Sequence, residues 1–329
     1  MKRTIFFNNK PKIIGCSAVA GPKESSGSIK DYIQIKLLDD MFGEKTFEKA
    51  ETKMLFSAIK DCFFSAKKSE SEVDAIISGD LLNQIIASTF SARNFSCGYV
   101  GVYNACATFT EALTLGAMMI DGGYFNNVVC ATSSHFSSAE RQYRYPLELG
   151  STRPPQSQWT VTGAGASLIS RNGEGPKIIS ATIGKVVDFG VLDANNMGAA
   201  MAAAAANTIL THFIDCKITN NEYDLIVTGD LGTLGSRIVK DLLWEKGFDI
   251  EKQHVDCGEL IYSIKEDEYQ GGSGAGCSSV VFNSYLMDKL KKKKLNKILL
   301  VATGALLSSV SSQQGESIPS IAHAVAVES

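Results

Sequence analysis

Apolar residues recur at helical spacing over residues 47–66. The positions on this face are Phe47, Met54, Leu55, Ile59, Cys62 and Phe63. Their spacing predicts an amphipathic helix. A polar stretch follows, and then an apolar run at residues 74–81 that contains Gly79 and Asp80. This run predicts a buried strand that carries Gly79 and Asp80 at its carboxyl end.

The order of helix and then strand recurs further along the chain. Residues 104–122 begin with small side chains and continue with helix-forming ones, and residues 128–132 form the next short apolar run. This alternation predicts a mostly parallel sheet covered by helices.

The chain also repeats itself. The string DAIISGDL at residue 74 is matched by DLIVTGDL at residue 224, and VVCAT at residue 128 is matched by LLVAT at residue 299. At the offset of the second pair, Cys106 falls on Cys277, and each cysteine opens a predicted helix. We infer two related α/β halves, residues 1–172 and 173–329, which pack as one unit.

Composition narrows the class of protein. The chain has 329 residues, of which 44% are hydrophobic and 20% charged, and its net charge of −3 gives no basic footprint for nucleic acid. Its eight cysteines include no C-x-x-C pair, so they are expected to be reduced thiols rather than zinc or redox sites. No metal site and no cofactor are predicted.

The sequence predicts neither a signal peptide nor a membrane-spanning segment. The apolar run near the N-terminus is too short for a signal-peptide core, and the alanine-rich stretch at residues 197–209 predicts a buried helix. If the protein works at a membrane, other subunits are expected to hold it there.

Several long strings resemble one family within the thiolase and ketoacyl-synthase superfamily, that of stage V sporulation protein AD. They are AGPKE at residues 20–24, SGDLLNQ at 78–84, ATSSH at 131–135, AERQYRYP at 139–146 and ATGALLS at 302–308. Because they are spread from residue 20 towards the C-terminus, the resemblance covers nearly the whole chain.

The resemblance implies a thiolase-like fold, in which two similar halves form a layered α/β/α/β/α arrangement. It also implies binding of dipicolinic acid (pyridine-2,6-dicarboxylate) by a soluble subunit of a spore channel complex that imports this compound with calcium during sporulation. The implied partners are the membrane subunits of the stage V sporulation A complex. The implied location is the periphery of the forespore or spore inner membrane.

Two other functions stay open. In thiolase-like enzymes the cysteine that matches Cys106 carries the acyl group, so an acyltransferase that uses Cys106 is the main alternative. Related synthases carry a histidine after the strand that matches residues 224–230, and a histidine or asparagine in a glycine-rich turn that falls near Tyr269 and Gly272 here. Asp230 stands at the first position and neither partner is found at the second, so we expect no catalysis. A structural subunit with a relic pocket is the third possibility.

The expected ligand site gathers residues that follow predicted strands or open the helix between them. They are Asp80, Asn83, Cys106, Thr108, His135, Arg141 and Arg144. The start of the helix at Cys106 can offer amides to one carboxylate of the ligand, and an arginine suits the other. The alternatives are that Asp80 caps a helix and that Arg141 and Arg144 form structural ion pairs.

Two surface features allow further predictions. Six lysines between Lys289 and Lys297 end a predicted helix, where they are either solvated or in contact with anionic lipid headgroups. Thiolase-like proteins pair through a strand near the nucleophile, and we therefore hypothesise a homodimer formed through residues 128–132.

Overall fold

The computed structural model describes residues 2–143, 153–262 and 270–329. Strands and helices alternate in the first half as the pattern predicts. Its elements are β1 (Thr4–Phe6), β2 (Lys12–Ala20), β3 (Ile35–Lys36), α1 (Phe47–Ser65), β4 (Ala75–Gly79), α2 (Ile86–Ala92), β5 (Gly98–Gly101), α3 (Thr108–Asp121), β6 (Asn127–Ser134), α4 (Phe136–Tyr143), β7 (Trp159–Thr160) and β8 (Gly163–Ser170).

The second half repeats the alternation of strands and helices. Its elements are β9 (Lys177–Thr182), α5 (Met197–Cys216), β10 (Leu225–Thr228), α6 (Gly232–Trp244), β11 (His254–Asp256), α7 (Cys257–Ile261), β12 (Gly272–Ser273), α8 (Ala275–Val281), α9 (Met287–Lys291), β13 (Lys297–Ala305), α10 (Ser309–Gln313) and β14 (Ser320–Glu328). A single π-helical turn, Phe282–Leu286, joins α8 to α9.

Ten strands follow one another in the main sheet in the order β11-β10-β13-β14-β9-β2-β8-β6-β4-β5. The five strands of each half take the same order, and β9 meets β2 at the pair Lys12 and Lys177. In each half two pairs of strands are parallel and two are antiparallel. The prediction of a mostly parallel sheet is therefore wrong. The reason is that β8 lies antiparallel between β6 and β2, and β14 lies antiparallel between β13 and β9.

The repeat is visible in individual hydrogen bonds. Asp74 Oδ2 accepts from the amides of Asn126 and Asn127 at 2.7 and 2.8 Å, just before β6. Asp224 Oδ2 accepts from the amides of Asn296 and Lys297 in the same way, at the start of β13. The boundary at residue 172 falls between β8 and β9, and the division into two domains there stays a prediction.

Alternating residues of each strand face different layers. Ile77 and Cys130 point to the core around α3 and α8, whereas Ile76 and Val129 point to the outer core under α1. Helix α3 contacts both half-sheets, and the rings of Phe109 and Phe282 lie 5.6 Å apart between them. Helices α5 and α6 cover the half-sheet that contains β10, β13 and β14. The layered α/β/α/β/α fold is confirmed.

Strand β6 cannot form the edge of a dimer as hypothesised, because β4 and β8 pair with it on both sides. Among the described strands, β5 ends the sheet near Cys106. A homodimer stays a prediction, and pairing through a strand of this half-sheet would use its edge strand β5.

Among the described helices, one is long and apolar enough to span a membrane, and this helix is α5. In this structure 67% of its apolar stretch is buried, where it packs on β13 and β14. The expected buried helix at residues 197–209 is thus observed.

Candidate functional site

The turn at residues 104–108, which leads into α3, holds Cys106 in place. Ala105 adopts a left-handed conformation with φ of 50°, which an L-residue takes up at some cost in energy. Thr108 locks this turn, because its Oγ1 donates to the Ala105 carbonyl at 2.6 Å and accepts from the Asn104 amide at 3.0 Å. The amides of Ala107 and Thr108 already donate within the turn, so they are less free to bind a carboxylate than the sequence suggested.

Asp230 lies beneath Cys106, at the end of β10. Thr303 Oγ1 donates to Asp230 Oδ1 at 2.6 Å, the Gly274 amide donates to Oδ2 at 3.3 Å, and the Cys106 thiol also hydrogen-bonds to this carboxyl group. Burial away from water raises the pKa of Asp230 to about 6, although these three hydrogen bonds act in the opposite direction. The thiol therefore contacts an acid that changes its charge near neutral pH.

Above Cys106 is a partly open, largely apolar cavity of about 50 Å³. Its apolar lining consists of Leu81, Ala105, Ala139, Ala194, Met197, Ala305 and Leu307. Its polar lining includes Thr160, Ser273 and Glu140.

Two tyrosines separate this cavity from an outer groove on the surface. Tyr103 and Tyr143 line both spaces, and their hydroxyl groups lie 3.0 Å apart. The Tyr143 hydroxyl also donates to the Leu81 carbonyl. The groove beyond them is lined by Asn83, Gln84, Ser308 and Ser311, among others. The tyrosine pair therefore closes the cavity on that side.

Glu140, at the side of the cavity, forms an ion pair with Arg153. Its Oε2 lies 3.0 Å from Nη1 of Arg153, and both side chains are nearly buried. The guanidinium also donates to the Gln158 carbonyl and lies over the rings of Phe136 and Trp159, which are stacked 3.8 Å apart. Sequence reasoning missed Arg153, because nothing in its local string distinguishes it from other loop arginines.

Of the residues predicted to bind the ligand, Cys106 lines the cavity and Asn83 lines the outer groove. Asn83 is tied to α4 by its amide, which donates to Gln142 Oε1 at 3.0 Å. Thr108 is buried and serves the turn described above. Arg144 lies outside the described residues.

Asp80 is buried and bonded to main-chain amides instead of facing the cavity. Its carboxylate accepts from Leu82 and Ser88 at 2.8 and 2.7 Å, which agrees with the capping alternative. Burial raises the pKa of Asp80, and also that of the neighbouring Glu51, which is raised further by the charge of Asp80. A dicarboxylate would be repelled at this place.

His135 and Arg141 point away from the cavity. His135 Nε2 lies 2.8 Å from the Asp40 carbonyl and its Nδ1 accepts from the Ser137 amide, while burial lowers the pKa of the ring. Arg141 extends towards α1, where its Nη2 lies 3.7 Å from Glu48 Oε1. The ion-pair alternative therefore describes Arg141 better than a contact with ligand in the cavity.

Two further histidines are held by neutral partners. His254 Nε2 lies 2.9 Å from Thr228 Oγ1, and burial lowers the pKa of this histidine to about 4. His323, which sequence reasoning missed, accepts from the Gly184 amide at Nδ1, and its Nε2 lies 3.3 Å from Asn104 Nδ2. Burial lowers its pKa to about 4 as well, so the ring next to the Cys106 turn is neutral.

The described residues contain no group of three or more His, Cys, Asp or Glu side chains that could hold a metal ion.

Comparison with known structures places the fold. The chain is similar to OleA from Xanthomonas campestris, with a TM-score of 0.64 and 13% identity over 99% of both chains. It is also similar to 3-oxoacyl-[acyl-carrier-protein] synthase III from Aquifex aeolicus, with a TM-score of 0.54 and 16% identity, covering 97% of this chain and 100% of the other. At this level of identity the likeness shows the thiolase-like fold alone.

Comparison with known sequences is more specific. The profile of the family described as Stage V sporulation protein AD (SpoVAD) matches residues 1–328. Stage V sporulation protein AD of Bacillus subtilis (strain 168) is 41% identical over 328 residues, which cover 99% of this chain and 97% of the relative. The chain therefore belongs to the stage V sporulation protein AD family.

Proposed function

We propose that the protein binds dipicolinic acid and hands it, with calcium as accompanying cargo, to membrane subunits of a spore channel. The observation that carries the proposal is the apolar cavity above Cys106, in a chain whose whole length matches a sporulation family. A flat aromatic ring suits a narrow apolar space with a few oriented polar groups at its rim.

Binding requires the cavity to widen. Its volume of about 50 Å³ leaves little room for two carboxylates beside an aromatic ring. The outer groove begins directly beyond Tyr103 and Tyr143. We infer that the ligand enters from the groove, that the two hydroxyl groups separate, and that cavity and groove then form one site.

The charges around the cavity limit how a dianion can lie there. Glu140 is neutralised by Arg153, and Asp230 loses its charge when it is protonated near pH 6. Asp230 is held by three hydrogen bonds and cannot move away. We therefore place the ring over Cys106 and the carboxylates towards the groove.

Acyl transfer through Cys106 is the alternative, and one observation favours it: the thiol is hydrogen-bonded to a carboxyl group that could accept its proton. Against it, Asp230 stands where related synthases carry a histidine, and its charge would oppose a developing oxyanion. The neutral His323 is directed to Asn104 and the Gly184 amide.

Calorimetric titration with dipicolinate tests the proposal, with benzene-1,3-dicarboxylate as a matched ligand that lacks the ring nitrogen. We expect saturable one-site binding of dipicolinate that is tighter than that of the benzene analogue. An absence of binding, together with acyl-CoA turnover that Cys106→Ser abolishes, would favour the acyltransferase instead.

A further inference from the structure

The ends of the central strands that lie opposite the cavity form a strongly basic surface. We call it the basic edge and define it by Lys12, Arg171, Lys177, Lys291 and Lys293. The four lysines line one surface groove, together with Glu174, Leu290 and the glycines that flank Glu174. Among the side chains that line this groove, four cations therefore face one carboxylate.

Two of these lysines donate to neutral groups instead of carboxylates. Lys12 Nζ donates to the Arg171 carbonyl at 3.3 Å, and Lys291 Nζ donates to Cys16 Sγ at 3.4 Å, so both partners are neutral. Two neighbouring lysines differ in this respect. Lys292 pairs with Asp288 at 2.7 Å and Lys297 pairs with Glu222 at 3.7 Å.

An exposed aromatic ring lies at the same edge. Tyr124, in the turn between α3 and β6, is 80% exposed. The preceding residue, Gly123, packs beside the Arg171 guanidinium, since a Cβ atom at Gly123 would lie 3.2 Å from Nη2 of that arginine. Tyrosine next to lysine and arginine is the combination that membrane–water interfaces favour.

The position of the basic edge relative to the cavity is fixed by β13. This strand begins at Lys297, near the basic edge, and ends at Ala305, which lines the cavity. Nine extended residues span about 26 Å. A flat surface that contacts the basic edge would therefore leave the cavity and its groove facing away from that surface.

We propose that the basic edge docks on an anionic lipid bilayer, with Tyr124 at the level of the headgroups. Lysines are point charges that suit mobile headgroups, and Arg171 is the one cation of the set with a bidentate fork. The net charge of −3 argues against a nucleic acid, because repulsion from the remaining surface would oppose a long polyanion. Docking here needs no apolar helix, and it does not depend on the identity of the ligand in the cavity.

The test is co-sedimentation of the full chain with vesicles of phosphatidylcholine, alone or mixed with phosphatidylglycerol. We expect binding to the mixed vesicles alone, and its loss at high salt. The variant Lys12→Gln, Lys177→Gln, Lys291→Gln, Lys293→Gln should partition roughly fivefold more weakly for each lysine removed. The matched control is Lys36→Gln, Lys45→Gln, Lys49→Gln, Lys60→Gln, in which four exposed lysines on the α1 side make the same change in net charge.

The orientation of the protein on the vesicle surface is measured in a separate experiment. Vesicles that contain bromine-labelled lipid should quench the tryptophan fluorescence of the Tyr124→Trp variant more than that of the wild type. The proposal is wrong if the wild type does not bind mixed vesicles, if both quadruple variants lose binding equally, or if the added tryptophan is not quenched. Displacement from vesicles by inorganic phosphate at equal charge concentration would show a site for a free anion, and tighter binding to an oligonucleotide than to vesicles would show a nucleic-acid surface. Either result would overturn it.

Discussion

At the residue scale, the feature with the most direct consequence is the contact between Cys106 and Asp230. Buried beneath the cavity, Asp230 has a pKa raised to about 6, because the charged carboxylate is desolvated. Above this pH a negative charge lies under the proposed ligand, and below it the charge is gone.

We therefore expect the affinity for dipicolinate to rise as the pH falls through about 6, by up to roughly tenfold, which corresponds to ~1.4 kcal/mol of repulsion. Asp230→Asn should bind as tightly at neutral pH as the wild type does in acid, and its affinity should vary less with pH. Calorimetry across the pH range measures both. Equal pH dependence in the two proteins would show that Asp230 does not face the ligand.

The sequence predicted the position of Cys106 because a small-residue turn before a helix has a local signature. It did not predict which polar side chains would reach the cavity. Asp80 and His135 follow strands as expected, yet main-chain amides and carbonyls hold them. Tyr103 lines the cavity and Arg153 pairs with Glu140 beside it, and no local pattern in the sequence records such contacts between distant residues.

At the scale of elements, α3 approaches the sheet closely because Gly116 has no side chain. A Cβ atom there would lie 2.6 Å from Cys130 Sγ and 3.3 Å from Ile169 Cδ1. The helix predicted at residues 104–122 and the strand at 128–132 are both confirmed. Their close approach was not predictable, because it depends on which glycine faces which thiol.

Gly116→Val should lower the free energy of unfolding by about 1–3 kcal/mol through overpacking against β6. Adding Cys130→Ala should restore part of the loss, because it removes the sulfur that the new side chain meets. Met118→Val, at a more exposed position of the same helix, is the control and should change stability by less than about 0.5 kcal/mol. Denaturant titration measures all four proteins, and no recovery in the double variant would contradict the packing described.

The tyrosine pair between α4 and the end of β5 should control the rate of ligand entry. Tyr143→Phe removes hydrogen bonds to the Leu81 carbonyl and to the Tyr103 hydroxyl, each worth about 0.5–1.5 kcal/mol. We expect dipicolinate to associate up to about tenfold faster in a stopped-flow experiment. Tyr124→Phe, at the opposite edge, should leave the rate unchanged. An unchanged rate in Tyr143→Phe would indicate another route of entry.

At the scale of the whole molecule, two half-sheets of equal topology enclose α3 and α8. The repeated strings predicted two related halves, and in the structure the strand order and the contacts of Asp74 and Asp224 both recur. The antiparallel strands were not predicted, since the small residues of β8 carry no signal for direction. The sheet leaves β5 as its described edge near Cys106.

If the protein is a homodimer, β5 and the adjoining α2 are the surface we expect it to use. Phe90 of α2 is 41% exposed there. Phe90→Glu should shift the mass measured by light scattering towards that of a 35.3 kDa monomer. Phe64→Glu, at an exposed position of α1, should not do so. A wild-type protein that stays at 35.3 kDa at high concentration would contradict the dimer.

The most direct test of the proposed binding site is calorimetric titration of dipicolinate into Cys106→Phe. The larger side chain fills the space above the α3 turn, so we expect binding to be lost while near-ultraviolet circular dichroism shows an intact fold. Cys97→Phe, a half-buried position after α2 and away from the cavity, should bind as the wild type does. Unchanged affinity in a folded Cys106→Phe would show that the ligand binds elsewhere and that the cavity above Cys106 is not the site.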